Sequence, residues 1–175
     1  MTEAVKPIES ARSSDDRAGR IGLWIRRAAM CLLTAVVGIA LANVVGQRAT
    51  IAHASSPRAD LTVRAPDTVR PGLLFQAKIS VTAHDALPNA QVVLSSGWLD
   101  GMTINTIEPS PSTERSGPGG SLVFDLGALQ PGQTWVEYIE YQVNPTSISR
   151  RHQTITVLSN TAPVVDLQRT MTVIP

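Results

Sequence analysis

The sequence predicts an all-β protein, an antiparallel β-sandwich of about seven to eight strands preceded by one transmembrane α-helix. Three observations predict it. Residues 28–45, AAMCLLTAVVGIALANVV, carry no charge, and only Thr34 and Asn43 among them are polar. From Asp60 onward, apolar residues recur at every second position instead of in one block. Between those alternating runs stand Pro-Gly, Asn-Pro and Gly-rich breakers, and no gap is patterned for a helix.

Residues 1–27 hold six basic and four acidic groups and are rich in Ser, Asp and Arg. Such a segment buries too little apolar surface to fold alone, so it is expected as a disordered cytoplasmic tail. Arg17, Arg20, Arg26 and Arg27 crowd the near end of the apolar run, against Arg48 and Arg58 beyond it. That asymmetry places the N-terminus in the cytoplasm. Trp24 stands where an indole ring suits the headgroup layer.

Residues 28–45 as a helix reach about 27 Å, close to one hydrocarbon core. In lipid a helix pairs all its backbone groups internally, so the lipid bilayer is the expected surrounding. Thr34, Gly38, Ala42 and Gly46 recur every four residues, a small-residue face that admits a second helix. Cys31, the only cysteine, lies in this run, so no intramolecular disulfide can form.

Residues 46–59 read as a linker, short of large apolar groups and containing Ser55-Ser56-Pro57. Within it Ala52-His53-Ala54 has the small-x-small form of a signal-peptidase site. Two outcomes stay open: retention as a signal anchor, and release by cleavage after Ala54 as a secreted or surface-bound adhesion or cell-wall-binding domain. The apolar stretch is longer than a usual cleavable core, which favours the anchor.

Residues 60–175 are numerous enough for one self-standing core. Phe75, Ala77, Ile79 and Val81 alternate with Gln76, Lys78, Ser80 and Thr82, giving one apolar and one wet face. Trp135, Ile139, Tyr141 and Val143 share a face that Glu137 interrupts, while Glu140 falls on the opposite face. The predicted strands are 61–65, 73–82, 90–95, 102–107, 121–126, 134–143, 153–159 and 166–174. Pro71-Gly72 and Pro131-Gly132 suit type II turns, and Ser110 to Gly120 reads as the longest exposed loop.

Asp60-Leu61-Thr62-Val63 through Pro71-Gly72 resembles the opening of bacterial immunoglobulin-like repeats, the "conserved repeat" and cell-adhesion-related domains of surface proteins. The likeness continues in Gly97-Trp98-Leu99-Asp100-Gly101-Met102 and in Leu122 to Gln133, where a strand, a Gly-x-Leu corner and a Pro-Gly turn follow in order. Asn144-Pro145-Thr146 with a single anchor resembles small actinobacterial membrane proteins of unknown role. The resemblance implies an immunoglobulin-like, extracytoplasmic module without catalysis.

Catalytic patterns are missing from the sequence. There is no Gly-x-Ser-x-Gly elbow, and His53, His84 and His152 have no His or Cys at ligand spacing. The acids form no calcium loop, and no Gly-Lys-Ser/Thr stretch cradles phosphate. Residues 46–175 carry nine basic and ten acidic groups, without the excess expected of a nucleic-acid binder. No cofactor and no small-molecule substrate is inferred. The expected partner is a membrane or envelope protein, met by the segments 97–102 and 110–120. Trp98, Asp100, Arg115, Arg150 and Arg151 are the candidate contact residues.

Overall fold

The computed structural model describes residues 9–41, 47–111 and 113–175. The chain divides into two compact units, Met1–Val45 and Gly46–Pro175.

In the first unit a single helix, α1, spans Glu9–Leu41. The expectation of a disordered tail over residues 1–27 is therefore corrected from Glu9 onward. No proline follows Pro7 in this stretch, and a helix once nucleated extends by one hydrogen bond per added residue. The section Ile21–Leu41, of mean hydropathy 1.6, is long and apolar enough to cross a membrane. Its large apolar side chains are between 51% and 82% exposed. Arg27 lies over the ring of Trp24, 5.7 Å from its centre.

The second unit is an immunoglobulin-like sandwich of two sheets. Its strands are β1 (Ala49–Ser55), β2 (Ala59–Pro66), β3 (Thr68–Val69), β4 (Leu74–Ala83), β5 (Leu87–Leu94) and β6 (Met102–Glu108). They continue with β7 (Glu114–Ser116), β8 (Leu122–Leu129), β9 (Thr134–Val143), β10 (Ser149–Ser159) and β11 (Ala162–Val173). One sheet runs in the order β1-β2-β4-β9-β6, the other β3-β11-β10-β5-β8-β7. Every pairing is antiparallel except the short parallel match of β3 with β11.

All eight expected strands are present, and three more join them. The linker expected over 46–59 is corrected, because residues 49–55 form β1 and pair with β2 from Ala49–Pro66 to Ser55–Asp60. Ala52 and Ala54 turn toward the core. As an edge strand, β1 covers only the flank of the core, so alanines suffice there. The segment 110–120, expected as loop alone, contributes β7 against β8.

Alternation decides which side chains enter the core. Leu61, Val63, Ala77, Ile79, Ile139 and Tyr141 of one sheet meet Val92, Leu94, Phe124, Ile155, Val157 and Met171 of the other, all fully buried. The two Pro-Gly turns behave as read: Gly72 and Gly132 sit at φ +78° and +79°, the left-handed conformation that type II turns require at their third position.

A charged side chain links the sheets. Arg169 of β11 is only 9% exposed, and one of its guanidinium nitrogens donates to Ala65 O, Pro66 O and Asp67 Oδ1 at 3.0, 2.7 and 2.7 Å. These acceptors lie where the chain leaves β2 and crosses to β3. Its guanidinium lies over the Trp98 ring, 5.5 Å from the centre. Trp98 packs 6.0 Å from Tyr141, which stacks on Phe75 at 5.2 Å. Trp98 reaches this position from a 3₁₀ turn, Ser96–Trp98, pressed so closely on β10 that a Cβ at Gly97 would lie 2.0 Å from His152 O. Burial pushes the Arg169 guanidinium down in pKa, and Asp67 pulls it back by hydrogen bond and charge.

Truncating a buried hydrogen-bonded charge exposes its partners' unmet demand. Arg169→Leu is expected to cost about 3 kcal/mol, and Asp67→Asn, at a half-exposed carboxylate, about 1 kcal/mol. Urea unfolding of the full chain in detergent measures both, and equal losses would contradict this account.

Candidate functional site

The structure separates the five residues expected to contact a partner. Trp98 is corrected: it is fully buried, held between Arg169 and Tyr141, and offers no surface. Its glycine neighbours mark a close approach to β10 at Gly97 and a turn at Gly101 (φ +62°), so they draw the indole inward instead of presenting it.

Asp100, Arg150 and Arg151 lie at the end of the sandwich that holds the β9–β10 turn. Arg151 donates to Ser147 Oγ, and its guanidinium sits against Gly101. Burial lowers its pKa while the Asp100 charge raises it. Arg150, in register with Thr172, is exposed. Arg151 is thus half-buried and pinned, whereas Arg150 is open to solvent.

Arg115 stands apart on β7, at the edge of the second sheet, and donates to Gln91 Oε1 at 3.1 Å. Beside it a groove of about 470 Å³ crosses the outer face of the sheet, lined among others by Gln91, Val93, Ser121, Thr156 and Leu158. The groove exists because the segment 113–121 folds back along β8: Gly117 N donates to Ser121 O and Asp125 N to Thr113 O. The sequence marked this segment for its composition, but a groove across strands distant in sequence leaves no local signal.

Ala52 and Ala54, the candidate signal-peptidase residues, are paired in β1 with Val63 and Leu61. On the helix, Thr34 Oγ1 donates to Met30 O at 2.9 Å, and nothing lies within 4 Å of a Cβ placed on Gly38. Ala42 and Gly46, the other members of that small-residue face, lie outside the described residues.

His84 pairs with Asp60 and not with its neighbour Asp85: His84 Nε2 lies 3.0 Å from Asp60 Oδ2, and Ser55 Oγ donates to the other oxygen. The Ser55 hydrogen bond lowers the Asp60 pKa; burial opposes it, and the hydrogen bond and charge of His84 lower it further. A nucleophilic serine needs histidine beside its hydroxyl and the acid behind the histidine. Here the carboxylate stands between them, so this trio ties β1 to the 84–85 turn and activates no hydroxyl. Among the described residues, no three His, Cys, Asp or Glu side chains gather as metal ligands.

By sequence Glu137 interrupts the face shared by Trp135, Ile139, Tyr141 and Val143. That face is interior: Glu137 is fully buried opposite Ile79, and both carboxylate oxygens lack a hydrogen-bond partner. Burial pushes its pKa up from 4.5 to about 7.

The fold thus defines the class of protein, an immunoglobulin-like β-sandwich with an apolar helix on its N-terminal side. No protein-family model matches the chain, and no curated protein matches its sequence. Three solved structures illustrate its likeness in fold. The CARDB domain of the PF1109 protein from Pyrococcus furiosus is 17% identical over 67% of this chain and 90% of that one, at a TM-score of 0.42. CaCohA2 from Clostridium acetobutylicum is 13% identical over 65% and 88%, at 0.43. The reeler domain of human F-spondin is 9% identical over 64% and 87%, at 0.41.

A raised carboxyl pKa makes folding pH-dependent with a definite sign. Between pH 4.5 and 7 the folded chain holds a proton on Glu137 that the unfolded chain has lost, so stability falls as pH rises and the loss is complete above about 7. The loss is of order 3 kcal/mol. Glu137→Leu is expected to remove this slope and to stabilise the protein at pH 8; urea midpoints at pH 5 and pH 8 measure it. A slope unchanged by the substitution would refute the assignment.

Proposed function

We propose that the chain is a single-pass membrane protein that holds its sandwich outside the cytoplasm and contacts another membrane or envelope protein, without catalysis. The observation that carries this reading is the pairing of a long apolar helix, Ile21–Leu41, with a folded β-unit that starts eight residues later at Ala49. Apolar side chains at 51–82% exposure call for lipid around them. The arginines Arg17, Arg20, Arg26 and Arg27 support an N-terminus inside. Thr34 and Gly38 support a close approach by a second helix.

Retention is favoured over release. Cleavage after Ala54 would cut β1 between its sixth and seventh residues, strip Ala52 and Ala54 from the core flank and expose the edge of β2. The contact with a protein partner is assigned to the groove beside Arg115, where Val93 and Leu158 supply apolar surface and Arg115 a bidentate donor. No cofactor, nucleic acid or small-molecule substrate enters this reading.

Purification from membranes in mild detergent is expected to recover a partner with the intact chain and to lose most of it with Arg115→Glu. Recovery of the protein alone, or equal recovery with Arg115→Glu, would overturn the contact. N-terminal sequencing that begins at Ser55 would overturn the anchor.

A further inference from the structure

The exposed apolar side chains of the sandwich are not spread evenly. Among the described residues of this unit, the large exposed ones are Ile51, Leu73, Leu74, Tyr138 and Ile148. Three of these, Leu73, Leu74 and Ile148, are 48%, 49% and 62% exposed and lie at one end. The ladder fixes that placement. Leu74 is in register with Gln142, Val143 N donates to Leu73 O, and Ile148 sits in the turn that follows β9, just before Ser149 pairs with Val173. The first residue of β1, Ala49, is in register with Pro66 at this same end.

The charge at this end matches the apolar tips. Arg48, Arg70 and Arg150 are all exposed there. Of the acids, Asp67 is bound by Arg169, which leaves Asp100 against three open arginines. The opposite end is of another character. Its turns carry Asp85, Asn89, Gln130, Asn160 and, beside His84, a single half-buried arginine, Arg58, without a large exposed apolar side chain.

We propose that this end of the sandwich rests on an anionic lipid surface, with Leu73, Leu74 and Ile148 dipped among the headgroups and Arg48, Arg70 and Arg150 on lipid phosphates. The inference rests on the anchor reading. Eight residue steps separate Leu41 from Ala49, a reach of at most about 28 Å even when fully extended, so the tether keeps the sandwich near the bilayer. Leucine and isoleucine gain by leaving water at the headgroup boundary, and each arginine there is attracted by the anionic lipid. A protein partner at this end is the competing occupant. The joint pattern of shallow apolar tips with separate arginines, unpaired among the described residues, fits a fluid phosphate layer better than a shaped protein surface.

The test uses the full chain with Cys31→Ala and one new cysteine carrying an environment-sensitive dye, either Ile148→Cys or, at the far end, Asn160→Cys. Both are reconstituted in vesicles of phosphatidylglycerol and phosphatidylethanolamine that contain shallow spin-labelled lipid. Quenching is expected to be several-fold stronger at 148 than at 160. It should fall to the level of 160 when Arg48, Arg70 and Arg150 are changed to Glu, and weaken in vesicles of phosphatidylcholine alone. A chain that fails to float with the vesicles would overturn the anchor reading and this proposal together. A chain that floats but is quenched equally at both sites would overturn the proposal and leave the anchor standing. Shielding at 148 in native membranes but not in pure lipid would assign this end to a protein and overturn the proposal.

Discussion

The guanidinium of Arg169 is the interaction on which the sandwich closes. Two sheets can stack by burial alone, but the chain must also pass from β2 in one to β3 in the other, and a side chain of the second sheet holds that passage. Arg169 meets Ala65 O and Pro66 O at that point, while Asp67 balances its charge. The cost of drawing a cation inward is offset by these acceptors and by the π faces beyond them, since Arg169, Trp98, Tyr141 and Phe75 stand in one continuous row from β11 to β4. Gly97 makes that row possible, because only a residue without a side chain lets the 3₁₀ turn approach the His152 carbonyl and seat the indole.

A row of this kind explains why the interior tolerates polar groups in uneven comfort. Gln153, the cross-strand neighbour of Arg169, donates from its Nε2 to Gly97 O at 3.3 Å and to Met171 Sδ at 3.8 Å. Glu137 has none, and burial drives it toward the neutral form. The first is part of the closure. The second destabilises the fold whenever it ionises.

Much of this was legible in the chain and some was not, for separable reasons. Alternation is a local property, so residues 134–143 appear as a strand at the very bounds expected, and the other expected strands follow within a few residues. The same parity puts Gln153 in phase with Ile155 and Arg169 in phase with Met171, so their inward direction was already encoded, although polarity masked it. The burial of Trp98 was not encoded in this way, since it depends on the approach of a turn to β10, sixty positions distant in order of magnitude. β1 escaped because Ala52 and Ala54 are too small to register as an apolar face, yet an edge strand asks for no more. The groove beside Arg115 depends on β5, β8 and β10 lying side by side, and their adjacency follows from topology alone.

The position of β1 also sets how the molecule bears tension. Residue 49 is both the point where the chain joins the sandwich and the first rung of the ladder with β2, whose last rung joins Ser55 to Asp60. A pull transmitted from the N-terminal side, and resisted at the far end of the sandwich, therefore acts lengthwise on the strand. All seven rungs then share the load in shear, instead of peeling open singly, so the outermost strand doubles as a mechanical clasp.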